Sequence, residues 1–221
     1  LDAGFSVLVL SKDAADVCNS AYAQGGVAAV LNPLEDNEEV HFQDTMIAGG
    51  NRNDPAAVRV LVHEGPADVL ELRGGGVAFD TGRDGALDLT LEGGHSRRRI
   101  AHHKDQTGAE IVRGLLAALP SRPNIELAAD TVLTRLKKDA GGFHALIEQG
   151  GSFATVNARF CILATGGIGR VFKYTTNSPV ATGDGIVFAE KLGARIKGMN
   201  LVQFHPTAFA RGPQERFLIS E

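Results

Sequence analysis

Residues 19–26, Asn-Ser-Ala-Tyr-Ala-Gln-Gly-Gly, put small residues where a backbone has to approach something closely. Gly25 and Gly26 lack Cβ, so their amides can face a ligand oxygen at conformations other residues avoid, with Ser20 and Gln24 adding side-chain donors. The stretch is either a cradle for an anionic or polar cofactor or a plain loop turned by two glycines. Residues 92–99, Glu-Gly-Gly-His-Ser-Arg-Arg-Arg, crowd a carboxylate, an imidazole and three guanidiniums into one turn. Guanidiniums bind carboxylates through paired hydrogen bonds, and Glu92 could receive an ammonium, so the set suits an amino dicarboxylate. The competing reading is a solvated basic loop.

Two further stretches could carry chemistry. Thr165-Gly166-Gly167 and Thr182-Gly183-Asp184-Gly185 are turns at a strand end or helix start, where ligands collect in open α/β sheets. Asp184 is then a ligand contact or only a helix N-cap. In Gln203-Phe204-His205-Pro206-Thr207, the proline biases His205 toward extended backbone. Its imidazole then projects from a strand-like edge with Gln203 on the same side, in a catalytic or a structural role.

The elements that must position these groups read as alternating strands and helices. Residues 5–11 are a β-rich apolar run suited to a strand buried on both faces of a parallel sheet, with 1–4 as the end of a preceding helix. Helical patterns run from 38 to 48, and from Asp54-Pro55 to the glycines at 74–76, with Val58, Leu61, Val62, Val69 and Leu72 on one face. Val77 to Asp80 reads as a short strand. Thr107 to Glu110 has the form of a capping box opening a helix that Pro120 stops. Strands follow at 124–127 and 131–136, then a meander at 143–148 and 152–158, then a buried strand at 160–164. The pattern is α/β, a Rossmann-like nucleotide-binding architecture with an inserted β-meander and its first strand missing.

Composition bounds the function. The chain has 221 residues, 43% hydrophobic and 22% charged, enough for a sizeable core. A net charge of −4 suggests neither nucleic acid nor an anionic membrane as partner. No apolar run approaches the ~18 residues of a membrane span, and no leader is evident. Cys18 and Cys161 lack metal or disulfide spacing, which suits a reducing compartment and a cytoplasmic location. The chain starts without Met and reads as an internal piece of a longer protein.

Taken in order, the motifs AYAQGGVAAV (21–30), LEGGHSRRRI (91–100), DQTG (105–108), LATGG (163–167), TGDG (182–185) and QFHPTA (203–208) resemble one family over essentially the whole chain. That family is the succinate dehydrogenase and fumarate reductase flavoproteins, in its aspartate-oxidising branch. The resemblance implies an FAD-binding domain over residues 1–199 and the start of a capping domain at 200–221. FAD would be lined by Lys12, Asn19, Ser20, Ala21, Tyr22, Ala23, Gln24, Gly25, Gly26, Thr131, Val132 and Asp184. Respiratory members hold FAD covalently through a histidine that here matches Asn19, implying non-covalent FAD. They also lack the glutamate that matches Glu92.

The implied reaction is oxidation of L-aspartate to iminoaspartate with O2 or fumarate as acceptor, opening quinolinate and NAD synthesis, with quinolinate synthase as a possible partner. Glu92 would orient the substrate amine, and His205, Ser220 and Glu221 would sit near its carboxylates. Ser220 stands where a threonine is common. Further substrate-binding residues of the family would lie beyond Glu221. The alternatives are a fumarate reductase or succinate dehydrogenase flavoprotein subunit, or a catalytically inert scaffold that binds FAD poorly.

Overall fold

The computed structural model describes residues 4–205, 207–211 and 215–219. Two compact units share the chain, one formed by Leu1–Asn19 with Arg122–Ile219 and the other by Ser20–Ser121.

In the first unit β1 (Val7–Leu10) pairs in parallel with β5 (Ile125–Ala128), Val7 opposite Ile125 and Leu10 opposite Ala128. Parallel pairing follows from the long crossover between them, as the apolar run implied. Burial on both faces does not follow: Leu8 and Val9 remain exposed. The chain then forms an antiparallel meander of β6 (Thr131–Asp139), β7 (Gly142–Gln149) and β8 (Ser152–Ala158), with an irregularity between Leu133 and Arg135. Gly142, Gly150 and Gly151 turn its hairpins at positive φ.

Residues 160–164 are not a strand. Phe160 and Ile162 are 69% and 89% exposed, and Phe160 meets Phe5 edge-on at 5.9 Å. Apolar content sets an extended path, but a strand also needs a neighbour to take its N–H and C=O groups, and among the described residues none pairs here. Helix α4 (Asp184–Lys191) and a hairpin of β9 (Ala208–Arg211) and β10 (Glu215–Leu218) complete the unit. Residues 1–3, expected to end a helix, lie outside the described residues.

The second unit packs three helices around a small antiparallel sheet ordered β2 (Val27–Ala28), β4 (Ile100–Ala101), β3 (Leu89–Thr90). Helix α1 (Glu38–Ala48) starts where Asn37 accepts from the Val40 amide at 3.0 Å. Helix α2 (Pro55–Gly74) starts with Asp54 accepting from Ala56 N at 2.9 Å and Pro55 in its first turn. Phe42 and Met46 of α1 bury against Val58 and Val62 of α2. A second cluster joins Ala29, Val69, Val77, Phe79 and Ala101. Leu61 departs from the expected apolar face and is 59% exposed.

Two expectations fail here for one reason. Val77 and Phe79 are buried, but residues 77–80 form no strand, because the Asp80 amide donates to His102 O and Asp88 N returns to Asp80 O in a loop pattern. Helix α3 (Thr107–Ala118) has no capping box. Thr107 Oγ1 accepts from His103 N instead, while Glu110 accepts from Ala78 N at 2.7 Å and from Arg113. In both places tertiary partners claimed the polar groups that local pattern assigned to secondary structure.

Candidate active site

In the cradle, Asn19 belongs to the first unit and Ser20 to Gly26 to the second. Its turn is held by α3: Gly108 N donates to Ala23 O at 2.9 Å, and Ala23 N to Ser20 O at 3.3 Å. A Cβ on Gly108 would collide with Ser20 O and Ala23, so the DQTG glycine is a packing requirement of the cradle that the sequence reading left without a role. Tyr22, Ala23 and Gly25 are exposed, and Ala21 and Gln24 are half-buried.

Gly25 and Gly26 serve differently from expectation. Neither adopts a positive φ, so conformational freedom is not what they supply. A Cβ on Gly26 would strike Ala101 O and Ile100 Cγ2 of β4, and one on Gly25 would sit 3.3 Å from Glu92 Oε1. Absence of side chains therefore lets the cradle lie against β4 and lets the Glu92 carboxylate dock on it, with Gly26 N donating to Glu92 Oε1 at 3.3 Å. Cradle and Glu92 are thus brought together.

Of the three guanidiniums in the second stretch, Arg99 is not a ligand group. It is fully buried, forked onto Asp36 at 2.7 and 2.8 Å and bonded to Asp44 at 2.6 Å. Asp44 also accepts from Ser96 N and Oγ, which ties the loop to α1. Burial raises the carboxyl pKa values of Asp36 and Asp44, but the hydrogen bonds they accept outweigh it and hold both below the ordinary range. Burial pushes the His41 imidazole toward its neutral form, and Arg99 adds to this. Arg97 and Arg98 stay exposed. The sequence signal for this anchor was present only as separated acids at 36 and 44, with nothing local to connect them to Arg99.

In the first unit, Lys12 stands two residues past the end of β1, and its ammonium reaches Asp184 Oδ2 at 2.6 Å and Thr182 Oγ1 at 2.7 Å. Asp184 is not the N-cap of α4. Gly183 takes that position at φ 81°, and Asp184 is the first helical residue, with its carboxylate turned to Lys12 and Thr182. Lys12 lowers its pKa, against burial. Thr165 packs on Gly185, where a Cβ would have no room. Thr131 is buried, with its amide on Ser11 O at 2.8 Å, and Val132 is half-buried next to it. The ends of β1 and of the 160–167 stretch and the start of α4 therefore bring Lys12, Thr182 and Asp184 together.

Asn19 is consumed by its own unit: its Nδ2 donates to Asn177 Oδ1 at 2.8 Å and its Oδ1 accepts from Ser178 N at 2.7 Å. Asn177 in turn lines a cavity of about 360 Å³ with Phe172, Tyr174, Gln203, Phe204 and His205. Residues 201–205 are irregular instead of strand-like. His205 Nδ1 lies 2.8 Å from Thr207 O, and Phe204 meets Phe172 edge-on at 5.2 Å. Ser220 and Glu221 lie outside the described residues.

All residues from 1 to 221 match the FAD binding domain family. The chain belongs to this family, within the succinate dehydrogenase and fumarate reductase flavoproteins. FAD is the cofactor of this FAD-binding domain. The chain is similar to L-aspartate oxidase 2-b, chloroplastic, of Nicotiana tabacum, 43% identical over 212 residues, covering 93% of this chain and 33% of the relative. It is similarly 43% identical to L-aspartate oxidase of Streptomyces coelicolor, over 95% of this chain and 37% of the relative. Among solved structures, a point mutant of E. coli quinol fumarate reductase superposes with a TM-score of 0.90 at 27% identity, covering 97% of this chain and 37% of that one. This FAD-binding domain spans about a third of the length of the curated relatives it matches.

The residues present fit that cofactor. Gln24 Oε1 is buried with no hydrogen-bond partner, an orphan that a polar ligand would satisfy. The side chains of Lys12 and Asp184 remain 36% and 44% accessible. Among the described residues no His, Cys, Asp and Glu grouping could hold a metal ion, and no helix is long and apolar enough to cross a membrane.

Proposed function

We propose that the protein oxidises L-aspartate to iminoaspartate, with FAD held non-covalently and O2 or fumarate as final acceptor, as the entry step of quinolinate and NAD synthesis. The observation that carries this reading is the Glu92 carboxylate seated on the Gly25-Gly26 backbone. An amine-bearing substrate needs an anionic partner, and a plain dicarboxylate does not. The names of the tobacco and Streptomyces relatives support the same substrate.

FAD, when bound, supplies the two-electron acceptor chemistry that no side chain here can supply. Lys12, Ser20 to Gly26, Thr131, Val132 and Asp184 would hold it, Lys12 as the cation for its anionic portion. Asn19 offers no nucleophile for a covalent link, and its amide already bonds Asn177 and Ser178. Glu92 would bind the substrate ammonium and orient Cα, while His205, Ser220 and Glu221 would serve its carboxylates. Residues 1–199 would form the FAD-binding domain and 200–221 the start of a capping domain. A cytoplasmic location and docking to quinolinate synthase belong to the same proposal.

In the full-length protein, Glu92→Gln is expected to lower kcat/KM for L-aspartate by about ten- to a hundredfold, as for loss of a charged hydrogen bond, and to cost fumarate reduction much less. Equal loss of both activities would remove the amine-binding role. The fumarate reductase structural likeness favours a second reading, a respiratory flavoprotein subunit. Acid precipitation decides between them: a colourless pellet agrees with non-covalent FAD, and a yellow one supports the respiratory reading.

A further inference from the structure

We propose that His95 is a second substrate-binding group, a neutral imidazole whose Nε2–H donates to a carboxylate of the amino dicarboxylate and which Arg99 locks in that tautomer. The proposal rests on the reading of Glu92 as the amine-binding residue.

The lock follows from donor and acceptor inventory. Arg99 Nη1 lies 3.3 Å from His95 Nδ1. A guanidinium has donors only, so Nδ1 must accept with its lone pair and the single ring proton resides on Nε2. Arg99 cannot turn away from this task. It has no exposed surface, its Nε and Nη2 are committed to Asp36, and its Nη1 is also fixed by Asp44.

The backbone is fixed as firmly. Ser96, next in the chain, is pinned to Asp44 through both N and Oγ, at 2.9 and 2.8 Å. On the other side, His95 N donates to Glu92 O at 3.2 Å, with Gly94 at φ 83° in the third position of the turn. Such a four-residue turn holds its end residues within about 7 Å of each other. One end carries a carboxylate that accepts and the other a half-exposed imidazole whose remaining nitrogen donates. An α-amino acid presents the complementary pair, an ammonium beside a carboxylate. The His41 ring, 5.9 Å from His95, is kept neutral by burial and brings no competing cation to the pair.

If His95 were only a strut for Arg99, its removal would lower stability and leave ligand affinity untouched. The test uses the full-length, FAD-loaded protein with two ligands: L-aspartate, read as KM, and succinate, a dicarboxylate without an amine, read as Kd from the flavin spectrum. His95→Ala is expected to weaken both by about tenfold or more, as a lost bond to a charged group does. His95→Gln, whose amide nitrogen can stand in for Nε2, is expected to restore most of that loss. Glu92→Gln should weaken L-aspartate far more than succinate. Nitrogen-15 spectra of the unliganded protein should show Nδ1 of His95 without a proton. Unchanged succinate affinity in His95→Ala, or a proton on Nδ1, overturns the proposal. Failure of the wild type to oxidise L-aspartate, with succinate binding still lost in His95→Ala, sinks the oxidase reading and leaves His95 as a carboxylate-binding group for a plain dicarboxylate.

Discussion

Two ion clusters with nearly equal bond lengths do opposite things in this molecule. Arg99 meets Asp44 at 2.6 Å with no exposed surface, and Lys12 meets Asp184 at 2.6 Å with a third or more of each side chain accessible. Distance therefore does not distinguish them, and burial does. A buried fork cannot be released without stranding charge in a low-dielectric interior, so it fixes backbone. An exposed pair is screened and partly hydrated, and a ligand can re-partner either member at small cost. The first cluster shapes the loop that carries Glu92 and His95, and the second stays open to a new partner.

The sharpest way to break this contrast is to remove Arg99. Arg99→Ala leaves Asp36 buried without its partner and is expected to cost about 3 to 5 kcal/mol, read as a large fall in Tm by calorimetry. A loss no greater than for an exposed pair would erase the distinction. Next comes the packing that the anchored loop shares with the cradle. Gly26→Ala forces a methyl against Ala101 O and Ile100, with an expected cost of about 1 to 3 kcal/mol in urea unfolding. Gly25→Ala meets only the Glu92 carboxylate, near 3.3 Å, and should cost less.

Acid sharpens the comparison further. Hydrogen bonds from Arg113, then from the Ala78 amide, lower the Glu110 pKa from 4.5 to about 2 against the effect of burial. A carboxyl depressed on folding contributes stability that is present above its unfolded pKa and lost as pH falls through the folded one. The wild type should therefore lose stability between about pH 4.5 and pH 2. A plot of Tm against pH for Glu110→Gln should be flatter over that window. Identical curves would remove the linkage. The smallest effect is expected at the exposed pair: Lys12→Met should shift stability by less than about 1 kcal/mol while weakening FAD binding measurably by fluorescence titration. A stability loss as large as that of Arg99→Ala would show the pair to be structural.

Helix ends were legible because their causes lie within a few residues. Asp54 caps α2 where the sequence puts it, α1 starts where its pattern does, and the meander turns at its glycines. The failures came from partners, or the lack of them, that the local pattern does not show. Residues 160–164 have strand composition but, among the described residues, no neighbour to make them a strand. Thr107 and Glu110 have capping-box spacing, but His103, Ala78 and Arg113 took their polar groups. Of the two readings open for Asp184, ligand contact or cap, the cap is not the one formed: Lys12, 172 positions away in sequence, holds its carboxylate. Gln24, Glu92 and Asp184 were each visible as candidates by residue type and spacing. Arg99 was visible as a charge but not as a buried one, and Gly108 as a glycine but not as the support of the cradle.

By itself the sequence determined which chemistry was on hand: an amide-rich glycine turn, an acid three residues before an imidazole, and a lysine near a strand end. Residue identity and local spacing are enough for that, because capping, turning and donor or acceptor character act over one or two turns of chain. Only the tertiary structure decided which charges were spent on holding the loop and which were left accessible. That choice depends on burial and on partners distant in sequence, and the free energy of an ion pair is set by the water around it far more than by the residues beside it.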